Sequence, residues 1–188
     1  PFPLPNHPVV GVSWYESLAF CRWLGEQLPD KTWDIRLPTE AEWDKAARGG
    51  LQLPAQPVIQ SWMELLHADS AFRLPPSALI PHPSPRQSYP WGESGEVAEL
   101  ANCKESAIAA TSAMGCFRGG ASKYGVEELC GNVWEWNQDD YGMDDWKVLR
   151  GASWANDAQS IKSSARYWYD PSSWYFNFGF RCVVVPIS

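Results

Sequence analysis

No stretch of this 188-residue chain approaches the roughly 18 apolar residues that a membrane-spanning helix requires, so no membrane insertion is expected. Nor is there a run of Lys and Arg. Basic residues stand apart, as Arg36, Lys45 and Arg48 do, and the formal net charge is -7. That balance argues against nucleic acid or an anionic membrane as the main partner. The N-terminal "PFPLPNHPVV" has no basic segment leading into an apolar one, so it does not read as a signal peptide. Histidine is scarce: His7, His67 and His82 fall in the N-terminal tail or a Pro-rich stretch, where they read as exposed loop residues. The five cysteines, Cys21, Cys103, Cys116, Cys130 and Cys182, are odd in number and have no C-x-x-C spacing. They point to free thiols in a reducing, cytoplasmic setting. Cys21 on a helical face and Cys182 in an apolar run read as buried.

What is present describes a globular chain. Hydrophobic residues make up 45% and charged residues 20%, which fits one domain spanning residues 1–188. Tryptophan is unusually frequent, with 12 copies. Ser13 and Glu16 form a capping box ahead of helical spacing at Leu18, Cys21 and Leu24 or Leu28, giving a helix over Trp14 to Gln27. Thr39 and Glu42 repeat the box, Ala41 to Arg48 suits a helix, and Gly49-Gly50 stops it. Residues 51–88 carry seven of the sixteen prolines and read as an irregular surface insertion, with one short helix in "SWMELLHADSAF". Beyond Tyr89 only "KVLRG" and "FRCVVV" read as strands. Two helices, short antiparallel strands and extensive loops give an α+β class.

Six blocks in order, "VVGVSWYESLAFCRWLG", "RLPTEAEWDKAARGG", "YPWG", "YGVEELCGNVWEW", "VLRGASW" and "NFGFRCV", resemble the formylglycine-generating enzyme family, the sulfatase-modifying-factor domain. They cover nearly the whole chain outside residues 51–88. The resemblance implies a C-type-lectin-like fold. The family's strands ahead of the "VSW" helix have no counterpart in residues 1–8. Oxidase members of the family use two cysteines shortly after the "RGGS" block to bind copper and convert a substrate cysteine to formylglycine. Laid on that pattern, "RGASWANDAQSI" puts Asn156 and Ile161 at the two cysteine positions. Neither amide nor alkyl replaces a thiolate for Cu(I), so no copper and no oxidase activity are expected. Another branch forms carbon–sulfur bonds with iron held by histidines of an attached helical domain, and the three histidines here are not placed for that. The alternatives are an enzyme with reassigned residues near Asn156 and Asp157, or a catalytically dead regulatory or scaffolding domain of a larger protein. No nucleophile–base pair is evident for the first.

The resemblance also implies a structural cation, Ca2+ or Mg2+, held by Glu128, the carbonyls of Gly131 and Val133, and Glu135. Hard cations take such oxygens from one tight turn. Otherwise Glu135 and Asn132 simply hydrogen-bond the turn. A second ion site of the family would involve Asn102, but Ser106 stands near the position of its acid. Trp134 and Trp136 share a face if extended and read as core, as does "YPWG".

From Tyr167 to Phe180, eight of fourteen residues are aromatic. Consecutive aromatics on a strand cannot all face inward, because neighbours alternate. Tyr, Trp and Ser are also the residues that evolved binding loops use. Phe178 and Phe180 flank Gly179 at strand spacing and read as core. One branch of the family, the variable proteins of diversity-generating retroelements, carries a hypervariable segment at this place, which here is residues 150–181. The resemblance implies a fixed scaffold of Arg150, Gly151, Ser153, Arg166, Pro171, Asn177, Gly179, Phe180 and Arg181. The replaceable contacts between them are Ala155, Asp157, Ser160, Tyr167, Trp168, Tyr169, Ser172, Ser173, Trp174, Tyr175 and Phe176. The expected function is non-enzymatic binding of a protein or other macromolecule. An oligomer contact or burial in a loop-rich core are the competing readings of these aromatics.

Overall fold

Two capping boxes begin the order of the chain. In the computed structural model, which describes residues 5–28, 32–59, 76–82, 87–142 and 145–187, helix α1 (Trp14–Glu26) starts at Ser13. The Ser13 side chain accepts from the Glu16 N–H, and the Glu16 carboxylate accepts from the Ser13 N–H. Helix α2 (Glu40–Arg48) starts the same way at Thr39 and Glu42, and ends at Gly49, whose φ of 83° favours glycine. Glu42 also takes both guanidinium nitrogens of Arg36, at 2.7 and 2.8 Å. Arg36 closes β1 (Trp33–Arg36), so one carboxylate caps α2 and ties it to a strand. Both helices match the sequence expectation to within one residue at either end. The helix expected in residues 61–72, and His67, lie outside the described residues.

The strands depart further from expectation. β2 (Gln52–Pro54) pairs antiparallel with β3 (Leu79–Pro81), so part of the Pro-rich segment is an ordered ladder rather than irregular surface. That ladder brings His82 under the end of α2: its N–H donates to Leu51 O and its ring bonds the Gln87 amide at 2.9 Å. His82 is therefore buried, and His7 is half-buried against Thr111, correcting the reading of both as exposed. After a short helix α3 (Val97–Leu100), β4 (Trp134–Asp140), β5 (Lys147–Arg150), β6 (Arg166–Tyr169) and β7 (Phe178–Phe180) form one sheet in the order β6-β5-β4-β7. β8 (Val183–Pro186) pairs with β1. The sheet is not wholly antiparallel: β7 crosses to the far side and lies parallel to β4. "FRCVVV" is not one strand either, because the chain leaves the ladder at Arg181 and Cys182 before β8.

The main core lies between α1, β1 and the large sheet. Cys21, Leu37, Trp136 and Leu149 are fully buried there, and Trp134, Phe180 and Cys182 pack against it half-buried. Trp134, Trp136, Phe178 and Phe180 thus take the core roles expected of them. Tyr89 and Trp91 stack at 4.8 Å against a second cluster built on Cys103, Cys130 and Ile161. The Sγ atoms of Cys21 and Cys182 lie 3.5 Å apart, and all five thiols are free. Gly131 has a φ of 81° and passes so close to Asn102 that a Cβ would sit 2.3 Å from its carbonyl oxygen. Among the described residues no helix is long and apolar enough to cross a membrane.

Ionic contacts bind the layers. Arg181 departs from the sheet to give two bonds of 2.6 Å to Glu135, whose Oε2 also accepts from Trp43 Nε1 of α2 at 2.7 Å. Glu135 is 3% exposed. Arg150, also buried, reaches Glu40 and Asp44 of α2 and the Ser163 carbonyl, with Trp43 beneath its guanidinium.

Replacing Arg181 by Leu is expected to cost about 3 kcal/mol, because it strands a buried carboxylate. Urea denaturation measures this, and a loss under about 1 kcal/mol would show that Glu135 finds another partner. Glu42 gives a pH effect of definite sign. Arg36, helped by Thr39, holds its carboxyl at about 2 against an ordinary 4.5. Its contribution to stability is therefore present above pH 4.5 and is lost as pH falls toward 2. Glu42→Gln should flatten that limb of the stability curve; an unchanged limb would mean that other carboxylates set it.

Candidate ligand-binding site

β6 is the edge strand of the large sheet, and its side chains alternate as strand geometry requires. Tyr167 and Tyr169 turn one way: Tyr167 lies 5.8 Å from the Trp134 ring, and Tyr169 lies 5.2 Å from Phe178. Trp168 turns the other way, stacking on Tyr141 at 4.2 Å and on Trp146 at 6.2 Å. Arg166, at the start of β6, holds Glu40 with two bonds and covers the Tyr141 ring. Each ring of "YWY" therefore rests on a partner, and one side remains open at the sheet edge.

The turn from β6 to β7 completes the surface. Trp174 and Phe176 are 66% and 64% exposed, and Tyr167 and Tyr175 are also exposed. A strap from the N-terminal segment fixes the base of this turn. Trp14 N–H donates to Pro171 O, and Gly11 N–H meets both Tyr175 O and Phe178 O, each at 3.1 Å. Asp170 Oδ1 accepts from the Ser172 N–H and hydroxyl, which keep its carboxyl below the ordinary range.

Two adjoining cavities open here. One, of about 460 Å³, is lined by Trp146, Tyr167, Trp168, Tyr169, Asp170 and Ser173. The other, of about 610 Å³, is lined by Tyr15, Asp145, Trp146, Asp170, Pro171 and Ser172. The fold thus brings together Tyr167, Trp168, Tyr169, Ser172 and Ser173, with Trp174, Tyr175 and Phe176 exposed on the same turn. It does not bring Ala155, Asp157 and Ser160 into either cavity. Those three are exposed on the loop before β6, where Asp157 accepts from the Ser160 N–H to close a local turn. Sequence reasoning missed Tyr15, Asp145, Trp146 and Asp170. The β5–β6 pairing of Lys147 with Tyr169 brings Trp146 to this edge, and no local pattern announces it.

The two positions at which the resemblance would place cysteines are structural. Asn156 Oδ1 accepts from the Ser153 N–H and hydroxyl at 3.0 and 2.9 Å, and Asn177 donates to the same hydroxyl at 3.0 Å. Ile161 is fully buried against Cys103 and Cys130. Cys130 itself is buried, and desolvation lifts its thiol far above the ordinary range, so it is not a ready nucleophile.

The expected cation ligands divide. Both Glu128 oxygens are buried with no hydrogen-bond partner among the described residues. Burial, with Glu127 nearby, pushes its carboxyl up to about 7; the Phe117 N–H opposes this without reaching bonding geometry. Such an orphaned acid suits a hard cation. Glu135 fits less well, since Arg181 and Trp43 already occupy both its oxygens. Among the described residues no three His, Cys, Asp or Glu side chains are grouped to hold a metal. Asn102 and Asn132, fully buried, bond each other and Ser112 and so hold the turn themselves.

Comparison with known proteins agrees with this architecture. The model of the sulfatase-modifying factor enzyme 1-like domain matches residues 3–185. Hercynine oxygenase of Mycolicibacterium thermoresistibile is 29% identical over 189 residues, covering 89% of this chain and 33% of that protein. Inactive C-alpha-formylglycine-generating enzyme 2 of Bos taurus is 30% identical over 190 residues, covering 93% of this chain and 49% of that protein. The chain therefore spans a third to a half of the length of these curated relatives. Among solved structures, Treponema denticola variable protein 1 superposes with a TM-score of 0.64 at 20% identity, over 97% of this chain and 72% of that one. The fold is C-type-lectin-like, and the chain belongs to the sulfatase-modifying factor family.

Proposed function

We propose that this chain is a non-enzymatic binding module that presents an exposed aromatic surface to a protein ligand, in the manner of the variable proteins of diversity-generating retroelements. One observation supports the reading: between residues 150 and 181, anchored scaffold side chains are interspersed with exposed aromatics at Tyr167, Trp174, Tyr175 and Phe176. Arg150, Arg166 and Arg181 hold carboxylates of the scaffold, Ser153 and Asn177 bond each other, and Pro171 and Gly179 are buried. A Cβ on Gly179 would lie 2.6 Å from Val9 O. Between these fixed points Trp168, Ser172, Ser173, Trp174, Tyr175 and Phe176 are exposed or half-exposed, while Ile161 and Ser163 are buried and Tyr169 packs against the core. Such a contiguous exposed aromatic patch marks an interaction surface. Copper oxidation would need thiolates where Asn156 and Ile161 support the loop. The five free thiols accord with work in a reducing, cytoplasmic compartment.

A structural Ca2+ or Mg2+ belongs to this reading. Glu128 and the carbonyls of Gly131 and Val133 would hold it, with Glu135 joining only if Arg181 yields. Bound there, it would neutralise the buried Glu128 carboxylate and pin its loop.

Three outcomes test these proposals. The coding neighbourhood should contain a reverse transcriptase and a near-repeat of codons 150–181 differing only at adenines; without both, the retroelement assignment fails. Trp174→Ala should change stability by no more than about 0.5 kcal/mol, while Trp168→Ala, which loses its stacking partners, should cost about 1–2 kcal/mol. A Trp174→Ala chain that unfolds would make that residue core. A mutant chain that dimerises less than wild type in light scattering would make the surface an oligomer contact. Finally, Ca2+ at matched ionic strength should raise the melting temperature of the wild type and leave that of Glu128→Gln unmoved. Equal shifts in both would place the ion elsewhere.

A further inference from the structure

The cleft at the sheet edge has a chemical bias beyond its rings. Its two cavities share Trp146 and Asp170, and among the described residues the charged side chains lining them are Asp145 and Asp170, with no Lys or Arg. Lys147, next along the chain, is already taken: Asp140 binds its Nζ, which lies 4.4 Å from the Trp14 ring. Asp170 uses Oδ1 for Ser172, and no donor among the described residues meets its Oδ2. The ring faces are held in place, since Trp146 lies within 17° of parallel to Trp168, and Trp168 within 14° of Tyr141.

We propose that this cleft receives the cationic side chain of a lysine or arginine presented by a protein partner. Trp146, the exposed last ring of the ladder, supplies the ring face, Trp168 lines the cleft beside it, and Asp145 and Asp170 supply countercharge. This rests on the binding-module reading and names the chemistry of its partner. A cation is attracted to an aromatic face, and carboxylates beside that face add charge-assisted hydrogen bonds. An acidic or purely apolar segment would instead leave both carboxylates desolvated and unpaired. The net charge of -7 favours approach of a basic partner at low salt. The chain makes the same kind of contact internally, with Arg166 stacked 4.1 Å from the Tyr141 ring at the other end of this ladder of rings.

The test uses the whole chain and the N-acetyl amides of lysine, arginine, norleucine and glutamate as probes. Tryptophan indole N–H signals are followed by NMR at low salt. The lysine and arginine amides should shift the Trp146 and Trp168 signals and bind at least about fivefold more tightly than the norleucine amide. The glutamate amide should leave both signals still. Asp145→Asn with Asp170→Asn should abolish the preference and its salt dependence. If the double variant unfolds, Asp145→Asn alone serves, since Asp145 is exposed and its side chain makes no described hydrogen bond. Equal binding of the lysine and norleucine amides would reduce the cleft to an apolar groove. A response to methyl glucoside as strong as to the lysine amide would make it a sugar site. Either result overturns the proposal, as does silence toward both cationic probes. Those failures leave the binding-module reading to its own tests, the coding neighbourhood and Trp174→Ala.

Discussion

Glu135 and Arg181 meet across 46 residues of sequence, and much of the domain is arranged around that meeting. Glu135 lies in β4, the strand between β5 and β7. Its Oε2 also accepts from Trp43, which anchors α2 against the sheet. Arg181 reaches the Glu127 carbonyl too, and so fixes the loop that leads into β4. One ionic contact thus joins a helix, a central strand, a loop and the exit from β7. A fold with few regular elements has few ladders to spread its load, and buried polar contacts of this kind carry specificity that sheet pairing would otherwise supply. The chain leaves the ladder at Arg181 and Cys182, between β7 and β8, at the point where this contact is made.

The sequence was most legible where interactions are local. Each capping box spans three residues, and both helices stand where Ser13–Glu16 and Thr39–Glu42 placed them. Trp136 and Phe178 could be assigned to the core because strand spacing and hydrophobicity agree there. What depends on distant partners was not legible. β4 hid behind the polar run from Asn137 to Asp140, whose pairing with β5 shifts register. The parallel pairing of β4 with β7 needs a crossover that no turn motif announces. The prolines around His82 point to an exposed loop, yet the β2–β3 ladder buries it.

The proposed binding surface shows the same division. Its exposed aromatics were visible as a run too dense to bury. Its other wall was not, because Tyr15 comes from α1 and Asp145 and Trp146 from the approach to β5, far from the aromatic run in sequence. Conversely, Ala155, Asp157 and Ser160 lie in the expected segment but stand apart from the cavities. A segment defined by sequence is therefore larger than the cleft defined by geometry. For Glu135, the resemblance implies an ion ligand and the turn a hydrogen-bonding role; Arg181 and Trp43, which hold both its oxygens, favour the second.

The strap from Gly11 to Trp14 bears on the thermodynamics of recognition. By bonding Pro171, Tyr175 and Phe178, it holds the base of the aromatic turn before any partner arrives. Ordering a loose loop consumes part of the gross interaction energy of every complex it forms. A turn already held leaves mainly its side-chain rotamers to be ordered, and aromatic rings have few of these. On the proposed reading, different side chains at positions 174 or 176 would then meet their partners on a common entropic footing. Their affinities would differ by the contacts they make rather than by how much backbone each must freeze.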